Sequence, residues 1–344
     1  MIRVLIAEDS AVTREYLVHL LAGDPAIEVA GTVADGREAV EQVVRLRPDV
    51  VVMDVHMPEM SGYEATRRIM ERAPIPIVMV SASLSRDEAG MAFAALAAGA
   101  LTVVDKPPGP GHPGQAEAAR LLIETVKLMA EVKVVRRWPS GRRPVPPSPL
   151  EPPPDRLIRL IAVGASTGGP QALVEILGDL PARFAAPILV VQHISPGFTP
   201  GLVDWLGQAI RLHVTLGDSG EAVRPGVVYL AREGAHMGIT REGRIRLAAG
   251  SAEDGFCPSA SHLFHSVAEA YGPSAMGILL TGMGRDGAVG LRRLREAGGL
   301  TIVQDEESSV VFGMPAEAIR LGAAAHVLPP ERIAGILRSL ATSG

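Results

Sequence analysis

The sequence predicts two α/β domains, each a doubly wound parallel sheet, joined by a proline-rich spacer. Three observations carry this. Short apolar runs alternate with amphipathic stretches in both halves of the chain, the signature of strands and helices in turn. Between the halves, the seventeen residues 138–154 include eight prolines. Just after them, an apolar run at 157–163 breaks into a turn of small residues before helix formers resume at Gln171. A chain of 344 residues is long enough to give both domains a full core.

In the first half the apolar runs 3–7, 29–33, 50–53, 75–80 and 101–104 read as five strands. The stretches between them are long enough for helices, so the strands run parallel with helices on both faces. A helix over 115–135 closes the domain, with Leu122, Val126, Met129 and Lys133 at helical spacing. The prolines that follow can form neither helix nor central strand and make an extended, semi-rigid spacer. The boundaries are therefore 1–130 for the first domain, 131–155 for the linker and 156–344 for the second domain. There the predicted strands are 157–163, 187–191, 227–230, 244–247, 276–281 and 300–304. Of these, 227–230 and 244–247 are expected to pair as an antiparallel edge hairpin. A helix over 330–340 turns Ile333, Ile336, Leu337 and Leu340 inward.

Composition narrows the function. A net charge of -5 and 3% aromatic residues give neither the basic footprint nor the stacking surface of a nucleic-acid binder. The single cysteine, Cys257, allows no internal disulfide, and no Cys/His spacing resembles a zinc site. Acidic residues follow the first few apolar residues, as a signal peptide would not allow, and the uncharged run 89–104 is too short to span a bilayer. The expectation is a cytoplasmic protein without direct membrane insertion.

The first domain places Glu8 and Asp9 after its first strand, Asp54 at the end of the third, Ser81 at the end of the fourth and Lys106 after the fifth. In a parallel sheet these ends share one edge, so the five side chains converge. Three carboxylates so close repel unless a hard cation such as Mg²⁺ neutralises them. Asp54 is then a candidate phosphoryl acceptor, with Lys106 stabilising charge and Ser81 offering a hydroxyl. Taken singly, each acid could be no more than a helix N-cap.

In the second domain Gly164-Ala-Ser166-Thr-Gly168 fits G-x-S-x-G, where small neighbours permit a sharp turn that exposes a serine hydroxyl at a helix N-terminus. The plainer reading is an N-cap serine in a glycine-rich turn. A nucleophile needs a base and a group that orients it. His193 follows the strand 187–191, and Asp286 follows the strand 276–281, so Ser166, His193 and Asp286 reach one rim. Their order differs from that of the α/β-hydrolases. A competing pattern, G-x-G-x-x-G at 282–287 with Asp305 further on, suggests a dinucleotide. It puts Asp286 where a pyrophosphate would bind, and it lies late in the domain rather than in the first βαβ unit.

Taken together, E-D at 8–9, D-V-H-M-P at 54–58, S-A at 81–82 and K-P at 106–107 resemble the response-regulator receiver family. The segments G-A-S-T-G-G-P at 164–170, Q-H-I-S-P-G-F-T at 192–199, T-G-M-G-R-D-G-A at 281–288 and Q-D-E-E-S-S-V-V-F-G-M-P at 304–315 resemble the chemotaxis protein-glutamate methylesterase family, CheB type. The resemblance implies a flavodoxin-like receiver and a Rossmann-like catalytic domain. It implies a catalytic triad of Ser166, His193 and Asp286, with Thr167 and Met283 beside the oxyanion. It also implies phosphorylation of Asp54 by a histidine kinase, with Mg²⁺ in the receiver and no cofactor for the esterase reaction. The substrate it implies is a glutamate γ-methyl ester, or a glutamine to be deamidated, on a chemoreceptor, with the receiver restraining the active site until Asp54 is phosphorylated. Glu8 stands where the family has a frequent aspartate, and Val103 where an aromatic is common. The segment 257–264 lacks the family's acidic residue near Ser261. Two other functions remain open at this stage: a non-enzymatic phosphorylation-dependent adaptor, and a dinucleotide-dependent oxidoreductase carrying a receiver.

Overall fold

The computed structural model describes residues 1–81, 86–132, 134, 157–250 and 255–342, without the side chains of 86–89, 341 and 342. The chain divides into two compact units, Met1–Pro144 and Val145–Gly344.

In the first unit the strands β1 (Ile2–Ala7), β2 (Ile27–Val33), β3 (Val50–Asp54), β4 (Ile77–Ser81) and β5 (Thr102–Asp105) pair in the order β2-β1-β3-β4-β5. Every pair is parallel. This is the flavodoxin-like order, with its crossover point between β1 and β3. Val50, Val51, Val52 and Met53 are all fully buried, because helices cover a central parallel strand on both faces. Helix α1 (Ala11–Ala22) starts at Ser10, whose side chain accepts from Thr13 N, and α2 (Gly36–Leu46) starts at Asp35, which accepts from Arg37 N and Glu38 N. Helices α3 (Gly62–Arg72) and α4 (Arg86–Ala97) follow β3 and β4, and the last helix of the unit, α5 (Gln115–Ala130), buries Leu122, Val126 and Met129 as its spacing predicts. It ends at Ala130, short of the expected 135. Val132, Val134 and Val135 follow, and β-branched residues lose rotamer freedom against a preceding helical turn. Lys133 and most of the proline-rich linker lie outside the described residues.

The second unit is built on seven strands in the order β14-β13-β12-β6-β7-β9-β8, all parallel. They are β6 (Leu160–Ala165), β7 (Ile188–Gln192), β8 (His213–Leu216), β9 (Val227–Leu230), β12 (Ala275–Leu279), β13 (Leu300–Gln304) and β14 (His326–Leu328). Strand β6 begins later than the predicted 157; Leu157 is 75% exposed, while Gly164 and Ala165 stay in the ladder. The expected hairpin of 227–230 with 244–247 does not form. All four residues of β9 are buried, which suits a strand covered on both faces, and it inserts between β7 and β8. The segment around 244 becomes β11 (Ile245–Ala249), whose antiparallel partner is β10 (Ala235–Ile239). Strand β10 reads A-H-M-G-I, and its histidine and glycine hide the strand pattern.

Helix α6 (Gly169–Leu177) follows β6 and α7 (Thr199–Ala209) follows β7; α8 (Ala260–Ala270), α9 (Ala288–Glu296), α10 (Met314–Arg320) and α11 (Pro330–Thr342) complete the unit. Phe264, Leu263 and Val267 of α8 pack into one core with Leu160, Leu279, Leu291 and Leu294. A fully buried phenylalanine of this kind contributes about 1.5–3 kcal/mol and helps to hold α8 against the sheet. Among the described residues, no helix is long and apolar enough to cross a membrane.

Candidate active site and phosphoryl-acceptor site

The second site is set by sheet register. On the parallel strands β6 and β7 the last matched pair is Ala165 with Gln192. Ser166 and His193 are the next residues on each strand, so they are neighbours across a spacing of about 4.8 Å. Backbone bonds hold this arrangement: His193 N donates to Ala165 O at 2.9 Å, and Ser166 N donates to Thr281 O at 3.0 Å. The buried amide of Gln192 bridges the two, donating to Ser166 O at 2.8 Å and His193 O at 2.9 Å.

The turn after Ser166 depends on glycine. Gly168 has φ +79°, and a Cβ there would come within 2.6 Å of Val310 Cγ2. On the other side a Cβ at Gly282 would lie 2.6 Å from Ser166 Cβ, so Gly282 lets the exit turn of β12 close onto the serine. Thr281 fixes that turn, accepting from Val311 N at 2.9 Å and donating to Thr167 O at 2.9 Å. The backbone N–H groups of Thr167 and Met283 donate to no acceptor among the described residues. Thr167 is half-buried, and Met283 is exposed.

Asp286 arrives on the turn between β12 and α9. Its Oδ2 lies 2.9 Å from His193 Nε2 and accepts from Ala260 N at 2.6 Å; its Oδ1 accepts from Ser259 Oγ at 2.8 Å and Ser261 N at 3.1 Å. The carboxylate therefore sits on the open N–H groups at the start of α8, where the helix dipole favours negative charge. Burial alone would raise its pKa, but the hydrogen bond and charge of His193 and the bonds from Ser261 hold the carboxyl far below the usual carboxylate range. Ser261 Oγ in turn accepts from Gly287 N at 2.7 Å. The segment 257–264, which lacks the acidic residue common in the family, thus cages the acid.

Because a carboxylate accepts at Nε2, that nitrogen carries the proton and Nδ1 keeps the lone pair. His193 Nδ1 is buried without a hydrogen-bond partner. The imidazole also stacks on Phe256, with ring centroids 4.3 Å apart and planes 6° from parallel. Strand-end reasoning does not reach Phe256, Ser259 or Ser261, which lie on an irregular approach to a helix. The two glutamines leave a trace: Gln192 and Gln304 each end an apolar run, and Gln304 Oε1 accepts from Thr281 N at 2.8 Å.

In the first unit, Glu8, Asp9 and Asp54 each offer a carboxylate oxygen within 4.8 Å of the others. Lys106 Nζ lies 2.8 Å from Glu8 Oε2 and 2.8 Å from Asp54 Oδ2. Glu8 and Asp54 are buried and Asp9 is exposed. Burial pushes the carboxyls of Asp54 and Glu8 up against the opposing pull of Lys106, and Asp54 raises Glu8 further by like charge. Ser81 is buried at the end of β4, one residue past the Asp54–Val80 pair, and its carbonyl accepts from Lys106 N at 2.8 Å. An all-oxygen donor set of this kind fits a hard divalent cation.

Comparisons with known proteins agree with both halves. The family model described as CheB methylesterase matches residues 161–337, and the response regulator receiver domain model matches residues 4–112. The chain is 51% identical over 348 residues to protein-glutamate methylesterase/protein-glutamine glutaminase 1 of Syntrophus aciditrophicus, covering 100% of this chain and 99% of that protein. It is 51% identical over 344 residues to protein-glutamate methylesterase/protein-glutamine glutaminase 4 of Geobacter metallireducens, covering 99% of each. The crystal structure of the Thermotoga maritima CheB methylesterase catalytic domain aligns at a TM-score of 0.51 and 38% identity, covering 53% of this chain and 98% of that one. Neither a dinucleotide-binding oxidoreductase nor a non-enzymatic adaptor is favoured by these matches, and the 282–287 turn carries Asp286 toward His193 rather than opening for a pyrophosphate. The chain belongs to the CheB methylesterase family, with a response-regulator receiver domain ahead of its catalytic domain.

Proposed function

We propose that this chain is a phosphorylation-regulated serine esterase that hydrolyses glutamate γ-methyl esters, and deamidates glutamines, on chemoreceptors. The observation that carries this is the strand register that makes Ser166 and His193 adjacent while Asp286 occupies the far nitrogen of the imidazole. Ser166 Oγ attacks the ester carbonyl, and His193 Nδ1 takes its proton. Asp286 keeps Nε2 protonated and stabilises the imidazolium. The open N–H groups of Thr167 and Met283 receive the developing oxyanion. His193 returns the proton to the leaving methoxide, methanol departs, and His193 then activates the water that frees the glutamate and Ser166. With a glutamine the same steps release ammonia.

In the receiver, Asp54 is the phosphoryl acceptor, a histidine kinase being the donor. Glu8, Asp9 and Asp54 would hold Mg²⁺, which when bound supplies charge neutralisation at the transferred oxygens. Lys106, 2.8 Å from Asp54 Oδ2, adds a positive charge at the acceptor, and Ser81 stands at the neighbouring strand end. Phosphorylation raises esterase activity only by favouring the active arrangement over the inactive one.

The test is methanol release from methylated receptor membranes. The unmodified chain should release methanol, and faster with a small phosphodonor such as acetyl phosphate. Ser166→Ala should lose release and keep labelling of Asp54, whereas Asp54→Ala should lose labelling and the phosphodonor response. Release that survives Ser166→Ala would overturn the esterase assignment.

A further inference from the structure

Nothing in the proposed reaction calls for an aromatic at position 256, yet Phe256 makes the largest flat contact with the reacting imidazole. Its ring lies 4.3 Å from that of His193 and within 6° of parallel. It does so while 48% exposed, and the His193 side chain beneath is only 7% exposed. Phe256 also lies beside the turn that carries the acid, since a Cβ added at Gly284 would be 3.9 Å from Phe256 Cε2.

The need for such a contact follows from geometry. The imidazole has one side-chain hydrogen bond, from Nε2 to Asp286, and Nδ1 has none. A single hydrogen bond fixes the distance of one ring atom and leaves the ring free to tilt about it. Proton transfer from a serine requires the Nδ1 lone pair to be held in line, and small misplacements cost rate steeply. A parallel aromatic face fixes the one remaining coordinate, the plane of the ring. It also keeps water off that face and interacts favourably with the imidazolium formed in each half-reaction.

We propose that Phe256 is a positioning residue, a clamp that sets the plane of the His193 imidazole and stabilises its charged form. This rests on His193 being the general base of the proposed esterase. The role belongs to the π face rather than to apolar bulk, which separates it from ordinary packing.

The experiment compares Phe256→Ala, Phe256→Leu, Phe256→Tyr and Phe256→Trp in the full-length chain, assayed by methanol release and by thermal unfolding. Phe256→Ala should lower kcat about tenfold to a hundredfold with KM changed less than about twofold. Tyr and Trp should recover kcat to within about threefold, and Leu should not. In the chain labelled with ¹³C-histidine, the ring protons of His193, assigned by their loss in His193→Gln, should be shifted upfield by the stacked ring and return in Phe256→Leu. An unchanged kcat in Phe256→Ala, or Leu as good as Tyr and Trp at equal stability, overturns the clamp. If Ser166→Ala keeps its activity, the esterase reading fails on its own. The proton shift then still decides the clamp, and its absence overturns it.

Discussion

Asp54 and Asp286 are both aspartates at the C-terminal edge of a parallel sheet, and both are largely buried, yet their environments drive them in opposite directions. Asp54 shares its site with Glu8 and Asp9 and meets a lysine ammonium; burial outweighs that partner and pushes its carboxyl up. Asp286 loses water too, but it gains His193 and three donors at the start of α8, and its carboxyl is held far down. The difference teaches that burial does not decide the charge state of a carboxylate; the number of N–H and O–H groups aimed at it does. Asp54 Oδ2 meets Lys106 Nζ at 2.8 Å and its Oδ1 accepts a long bond from His56 N at 3.4 Å, whereas each oxygen of Asp286 has two partners within 3.1 Å.

The sharpest way to break this comparison is Asp286→Asn. An amide cannot keep His193 in the same protonation pattern or balance the imidazolium, so kcat for methanol release should fall by about 10⁴-fold. A loss of less than about tenfold would mean that the α8 cage is structural only. Next in size is Ser259→Ala, which removes one donor to Asp286 Oδ1 and the hydroxyl that caps α8 by accepting from His262 N. It should cost about 1 kcal/mol of stability to urea and lower kcat by about tenfold.

The smallest effect belongs to the receiver. Because Asp54 has its folded-state pKa raised, its ionisation opposes folding: stability is lost as pH rises from the ordinary carboxylate range through the raised value. Asp54→Asn removes that charge and leaves Lys106 with Glu8, so the receiver should gain about 0.5–1 kcal/mol at pH 7. Asp286 behaves oppositely. Its depressed pKa contributes stability that is present above the ordinary carboxylate pKa and is lost as pH falls below it. Acid titration of unfolding in Asp54→Asn and Asp286→Asn should shift with opposite sign.

Much of this was legible in the amino-acid order. Central strands such as 50–53 and 188–191 are continuous apolar runs because helices cover both faces, so they announce themselves. Residues just beyond such runs fall on one edge, which is how Glu8, Asp54, Lys106, Ser166 and His193 come to notice. Four kinds of feature do not show. The three-residue β14 is too short to have a period, and β8, H-V-T-L, has its apolar residues separated by polar ones. The true partner of β11 is disguised by His236 and Gly238, and the helix at 115 ends on a β-branched run rather than on glycine or proline. The cage around Asp286 comes from residues about 25 positions earlier, joined to it only through the packing of α8 on the sheet.

Strand β6, which carries the serine, lies between β7 and β12, and β12 is formed from residues more than a hundred positions later than β6. During synthesis the serine and histidine emerge well before the strand that delivers the acid. A nascent chain halted before residue 275 lacks both Asp286 and the ladder partner on that side of β6. On the proposed mechanism, hydrolytic competence therefore waits for residue 286, and a product terminated before it should release no methanol.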